Sequence, residues 1–127
     1  MEKTGKLRIL HIEDDVADAE LVRLALLRSG LDCDIRLATS RSECLAALDG
    51  DEFDLVLSDS HGHDILALDI LRLVRQRLPH IAFLFVSGSF DDNDPETLKA
   101  AGATDCLLKD HLETLVPAIQ RALPSRD

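Results

Sequence analysis

Four separated places in the chain carry side chains able to handle a phosphoryl group and a hard cation. The acidic run Glu13-Asp14-Asp15 follows one apolar stretch, Asp59 ends a second, Ser87 follows a third and Lys109 a fourth. Carboxylates supply the oxygen ligands that Mg²⁺ takes, and a hydroxyl and an ammonium supply donors for phosphate oxygens. Taken singly, each has a structural reading. Asp59 and Ser87 are ordinary cap or turn residues, Lys109 is an ordinary solvated charge, and an acidic run suits a helix N-terminus through the dipole. Only brought to one crevice do they point to chemistry.

The surrounding pattern supplies that crevice. Phe53 to Asp59 is a mostly apolar run bounded by Gly50-Asp51 and His61-Gly62-His63, which predicts a strand buried on both faces of a parallel sheet with Asp59 at its carboxyl edge. Leu7 to Ile12, Ile81 to Val86 and Cys106 to Leu108 predict three more strands. Cys33, Ile35 and Leu37 alternate with Asp34 and Arg36, the pattern of a strand with one wet side near a sheet edge. Helices are expected over Val16 to Arg28, stopped by Gly30; after the capping box Ser40…Glu43, up to Gly50; and over Ile65 to Leu78, ahead of Pro79. Two more are expected from Asp94-Pro95 to Gly102, about two turns long, and over Leu112 to Leu123, where Pro117 marks a kink or the true start. Five strands alternating with five helices define an α/β fold: a doubly wound parallel sheet with helices on both faces and right-handed crossovers. Ligands bind at the carboxyl ends of such strands, which is where all four polar places fall.

A length of 127 residues allows one well-buried core, so residues 1–127 are read as one domain with loose tails at 1–6 and 124–127. With 46% hydrophobic but only 3% aromatic residues, the core must be filled by Leu, Ile, Val and Ala. The net charge of −10 repels nucleic acid and anionic membrane surfaces, and no basic block offsets it; metal cations and basic protein faces are the expected partners. Cys33, Cys44 and Cys106 form no C-x-x-C spacing, so neither a disulfide framework nor a zinc knuckle is expected, and a reducing cytoplasm fits best. No apolar stretch approaches the ~18 residues of a membrane span, and no signal segment is read at the N-terminus.

On Glu13-Asp14, Asp59, Ser87 and Lys109, in that order and spacing, the chain resembles a response-regulator receiver domain from Leu7 to Leu123. The resemblance implies the flavodoxin-like sheet order 2-1-3-4-5, which sets the first and third strands side by side and brings Asp14 next to Asp59. It implies a phosphoacceptor switch in a two-component phosphorelay, taking a phosphoryl group from the phosphohistidine of a sensor histidine kinase or phosphotransfer protein onto Asp59. Mg²⁺ would be held by Asp14, Asp59 and the His61 backbone carbonyl, with Glu13 acting through water. Lys109 would pair with the acyl phosphate, while Ser87 moves to hydrogen-bond it and draws its loop along. Such a protein is a switch rather than an enzyme turning over a small substrate; at most it catalyses its own phosphorylation and dephosphorylation. The output partner is left open. Three positions depart from the family pattern: Cys106 stands where an aromatic is frequent, His63 where a Pro is usual, and Asp110 where a Pro commonly follows the lysine.

Other readings are weaker. His61, His63, His11 and Asp64 invite a transition-metal site, but the first two lie in a loop without a firm third ligand, and His11 lies inside a strand, where a hydrogen-bonded core histidine is expected. A phosphatase of the haloacid dehalogenase type needs a second acid where His61 stands. A flavodoxin-type FMN site needs backbone donors and hydroxyls where Glu13-Asp14-Asp15 would repel phosphate. A receiver-shaped interaction module that takes no phosphoryl group is the remaining alternative.

Overall fold

Leu7, Ile9, Leu10 and Ile12 are buried on both faces of strand β1 (Leu7–Ile12), as only a strand near the middle of a covered sheet requires. The computed structural model describes residues 6–62, 64–91 and 93–123; His63, Asp92 and the expected tails, Lys6 apart, lie outside them. Around β1 the order is α1 (Val16–Ser29), β2 (Cys33–Ala38), α2 (Arg41–Gly50), β3 (Leu55–Ser58), α3 (Ala67–Arg77), β4 (Ala82–Ser87), α4 (Pro95–Ala100), β5 (Asp105–Leu108), a 3-10 segment (Lys109–Thr114) and α5 (Leu115–Ala122). The sheet runs β2-β1-β3-β4-β5 with every pair parallel, the order expected from the resemblance. Register aligns the strand ends: Ile12 faces Ser58, Ser58 faces Phe85 and Ser87 faces Leu108. The residues that follow β1 and β3 therefore emerge side by side.

Each face has its own apolar cluster. Leu10, Ile12, Val56, Phe83 and Phe85 pack under α2, α3 and α4, the two rings tilted at 60° with centroids 5.0 Å apart. Leu7, Ile9, Leu55, Leu57 and Val86 pack under α1 and α5. Strand β2 has its alternation because it is an edge: Asp34 and Arg36 are exposed, Ile35 is half-buried, and even Leu37 reaches the surface.

Several boundaries move from the expected ones for local reasons. Strand β3 is four residues long because the backbone N–H of Asp54 donates to the Arg8 carbonyl at 2.8 Å and its carboxylate accepts from the Arg8 N–H at 2.8 Å, which ends the regular ladder. Helix α3 starts at Ala67 rather than Ile65, since Ile65 is fully buried beneath the preceding loop and its carbonyl accepts from the Gly62 N–H at 2.9 Å. Helix α5 starts at Leu115, which puts Pro117 in the first turn, where no intrahelical donor is needed; it marks the start and not a kink. At α2 the Ser40 hydroxyl accepts from the Glu43 N–H as a capping box requires, but the Glu43 carboxylate reaches back to the Thr39 N–H and hydroxyl, at 2.7 and 2.8 Å.

Arg75 ties the far end of α3 to its neighbours. Its guanidinium donates to the carbonyls of Gly102 (2.7 Å), Ile81 (2.6 Å) and Leu78 (3.1 Å), so it braces the turn after α4 against the start of β4. Burial lowers its pKa.

Candidate functional site

Asp59 is the first residue beyond β3. Its N–H still donates to the Ile12 carbonyl at 2.9 Å, so the sheet fixes its backbone, and its side chain is only 5% exposed as a residue. Oδ1 accepts from the Ser60 N–H at 2.8 Å, while Oδ2 lies 3.6 Å from Lys109 Nζ. Glu13 is held in the same way one strand over, its N–H donating to the Ala38 carbonyl at 2.9 Å. Its carboxylate is fully buried, accepts from the Asp15 N–H at 3.1 Å and pairs with Lys109 at 2.7 Å. One carboxylate oxygen each from Glu13, Asp14 and Asp59 lie within 4.8 Å of one another. Among the described residues this is the group of side chains placed to hold a metal ion, and no histidine belongs to it.

The electrostatics follow from that crowding. Burial pushes the Glu13 carboxyl up to about 7, and the Asp59 charge adds to the rise against the opposing pull of Lys109 and the Asp15 N–H. Burial pulls the Lys109 ammonium down, but hydrogen bonds to Asp18 and Glu13 and the charge of Asp59 outweigh it, so its pKa stands above the ordinary lysine value. Carboxylates thus outnumber the ammonium at their centre. Buried and half-buried carboxylate oxygens in excess, converging within one ion's reach, fit a hard divalent cation such as Mg²⁺.

Two members of this network differ from the sequence reading. Asp15 caps α1, accepting from the N–H groups of Ala17 (2.9 Å) and Asp18 (3.2 Å), so the structural alternative applies to it. Asp18, which is not among the candidates that the sequence offers, binds Lys109 at 2.8 Å. Its one sequence signal is an acidic residue in the first turn, where the helix dipole alone accounts for it.

Ser87, the last residue of β4, is fully buried; its Oγ lies 2.5 Å from the Ser60 Oγ and donates to the Ser89 carbonyl at 2.7 Å. His61 is exposed, two residues past Asp59, in a backbone bridge to Leu66. The turn between them is tight: a Cβ on Gly62 would stand 2.5 Å from the Ile65 Cβ, so a side chain there would displace the loop that carries His61. Asp64, in the loop between β3 and α3, accepts from the Arg41 N–H at the start of α2, and His11 is buried in β1; neither joins the group of side chains placed to hold a metal, in keeping with the low rank of the transition-metal reading. Cys106 is half-buried beside Phe85, and burial pushes its thiol up to about 11.

His11 departs from its expected role, because its buried Nε2 has no hydrogen-bond partner. Burial, then the nearby Lys109 charge, lowers its pKa from 6.5 to about 4. The unfolded chain therefore takes up a proton first as pH falls from 6.5 to about 4, and the protein loses about 3 kcal/mol of stability across that window. Glu13 acts oppositely: its raised folded pKa means stability is gained as pH falls from about 7 to 4.5. The two slopes oppose between 4.5 and 6.5. His11→Leu should remove one of them and the orphaned nitrogen together. In chemical denaturation without divalent metal, we expect the variant to become more stable as pH falls from 7 to 5 while the wild type changes little; parallel curves would show that His11 does not titrate as stated.

The profile of the response regulator receiver domain matches residues 9–120 of this chain. Two curated relatives are the transcriptional regulatory protein ZraR of Salmonella typhimurium, 33% identical over 94% of this chain and 27% of its own length, and the transcriptional regulatory protein TrcR of Mycobacterium tuberculosis, 30% identical over 92% and 45%. The chain thus spans less than half the length of these relatives. Among solved structures, the chemotaxis response regulator CheY4 of Vibrio cholerae superposes with a TM-score of 0.80 at 23% identity, covering 94% of this chain and all of that one. A receiver domain from Clostridium thermocellum superposes with a TM-score of 0.80 at 25% identity, over 91% and 93%. The chain belongs to the response-regulator receiver domains of two-component systems. No helix among the described residues is long and apolar enough to cross a membrane.

Proposed function

We propose that this chain is a phosphoacceptor switch, with Asp59 taking a phosphoryl group from the phosphohistidine of a sensor histidine kinase or phosphotransfer protein. The observation that carries the reading is the convergence of Glu13, Asp14 and Asp59 carboxylate oxygens within 4.8 Å of one another at the ends of two adjacent strands, with Lys109 paired to Glu13 and 3.6 Å from Asp59. An Asp59 carboxylate oxygen forms the new bond to phosphorus as the phosphorus–nitrogen bond of the donor breaks, its electron pair staying on the imidazole. Asp14, Asp59 and the His61 backbone carbonyl would hold Mg²⁺, with Glu13 reaching it through water. When bound, the ion offsets the repulsion between an attacking carboxylate and an incoming phosphoryl group. Lys109, already between Glu13 and Asp59, supplies the fixed cation for the acyl phosphate, and Ser87 donates to one of its oxygens. Residues 1–127 then act as one cytoplasmic signalling unit that binds protein partners rather than turning over a metabolite. Intact mass after treatment with Mg²⁺ and a small phosphodonor tests this: one added phosphoryl group is expected, and none would leave the reading of a phosphorylation-inert interaction module.

The output step follows from Cys106. It faces Phe85 across the β4–β5 register and has no ring to swing between pocket and solvent, and Asp105 beside it is tied to Lys99 (3.4 Å) and Arg121 (3.7 Å). The short α4, capped by the Asp94 carboxylate at the Thr97 N–H, is the element whose stability can change. Hydrogen exchange with beryllofluoride and Mg²⁺ should show altered protection across residues 87–101 and little change across 105–108. A large change in the second segment would mean that Cys106 transmits the signal as an aromatic would.

A further inference from the structure

Ser60, the residue after Asp59, is not among the groups assigned above, yet its hydroxyl is buried against the Ser87 hydroxyl at 2.5 Å. A serine hydroxyl has one hydrogen to give. The hydrogen of Ser87 is committed to the Ser89 carbonyl at 2.7 Å, so Ser60 must be the donor in the serine pair; its own distance to that carbonyl is 3.4 Å. The resulting chain runs from the Ser60 hydroxyl to the Ser87 hydroxyl to the Ser89 carbonyl. It keeps the Ser87 oxygen in place and its hydrogen aimed at the loop after β4, not at Asp59. Both contacts lie where little water reaches, since Ser87 is fully buried and Ser60 is 7% exposed, so solvent does not replace them readily.

We propose that Ser60 is a positioning residue that latches Ser87 in the resting state: its hydroxyl donates to the Ser87 oxygen and fixes it in place, so that Ser87 must leave Ser60 as well as turn its hydrogen away from the Ser89 carbonyl before it can donate to a phosphoryl group on Asp59. This rests on the phosphoacceptor reading and adds a determinant of how readily that site switches. The backbone N–H of Ser60 holds Asp59 Oδ1 at 2.8 Å and is unaffected by side-chain substitution, so the latch can be removed without moving the acceptor.

The test is beryllofluoride affinity in saturating Mg²⁺. Ser60→Ala should tighten binding by about fivefold, the factor for one net hydrogen bond lost from the resting state only. Mg²⁺ affinity alone should be unchanged, and Ser60→Thr, which restores a hydroxyl, should return beryllofluoride affinity toward wild type. In a Ser87→Ala background the Ser60→Ala substitution should have no effect, which a merely structural role would not produce. Ser60→Cys, close in size and a weak donor, serves if the alanine protein does not fold. Unchanged or weakened binding in a folded variant, or the same tightening without Ser87, overturns the latch. A wild-type protein that binds no beryllofluoride overturns the phosphoacceptor reading itself, and the latch with it.

Discussion

Treated with Mg²⁺ and a small phosphodonor, Asp59→Asn should keep its mass while the wild type gains one phosphoryl group. The substitution keeps size and shape but replaces an anionic oxygen by an amide whose nitrogen lone pair is delocalised, so the nucleophile is lost and the fold retained. The strand-end N–H bond to the Ile12 carbonyl does not involve the side chain, which keeps the backbone where it is. Lys109→Ala should act differently. Asp59 keeps its nucleophile, but the charge that develops on the phosphoryl oxygens loses its fixed partner, and uptake should slow on the order of a hundredfold. The same change leaves Glu13, fully buried, without its cation at 2.7 Å, so a lower melting temperature should accompany the slower uptake. Time-resolved intact mass separates the two variants. Uptake by Asp59→Asn at the wild-type rate would remove Asp59 as the acceptor.

The existence of the strands is legible because short apolar runs, and in β2 a strict alternation, fit the strand period, and their carboxyl ends are marked by the polar residue that closes or follows each run. The sheet order is not; it comes from the resemblance, since β1 and β3 carry the same apolar signature whichever neighbours they choose. The strand-end site residues are legible through their shared edge and the resemblance together: Glu13 and Asp59 follow buried runs, Ser87 ends one, and Lys109 follows the half-buried β5. Asp18 and Ser60 escaped for opposite reasons. Asp18 lies inside a helix, where an acid in the first turn already has an explanation, and its pairing with Lys109 spans the whole fold. Ser60 meets Ser87 only because β3 and β4 are neighbours in register, which no local pattern records. The orphaned Nε2 of His11 is likewise invisible until the packing around β1 is known.

Millimolar Mg²⁺ should raise the melting temperature, and Asp14→Ala should abolish that rise while making the metal-free protein no less stable. Carboxylate oxygens within 4.8 Å of one another crowd like charges into a partly dry site. At an effective dielectric near 20, each such pair repels by roughly 3 kcal/mol, which one shared lysine offsets only in part. An ion that binds the folded chain and not the unfolded one shifts the equilibrium by mass action. The size of the rise should depend on pH through Glu13. Its folded pKa stands at about 7 against 4.5 unfolded, so the metal-free fold binds the extra proton in that window and loses stability as pH rises through it. A cation at the site takes over the compensation that the proton supplied. The Mg²⁺-dependent rise should therefore be larger above pH 7 than below 4.5, where the ion must displace a proton to gain the same carboxylate. Scanning calorimetry of wild type and Asp14→Ala at the two ends of that window checks both parts. An identical melting curve with and without Mg²⁺ above pH 7 would mean that the three carboxylates do not hold the ion, however closely they converge.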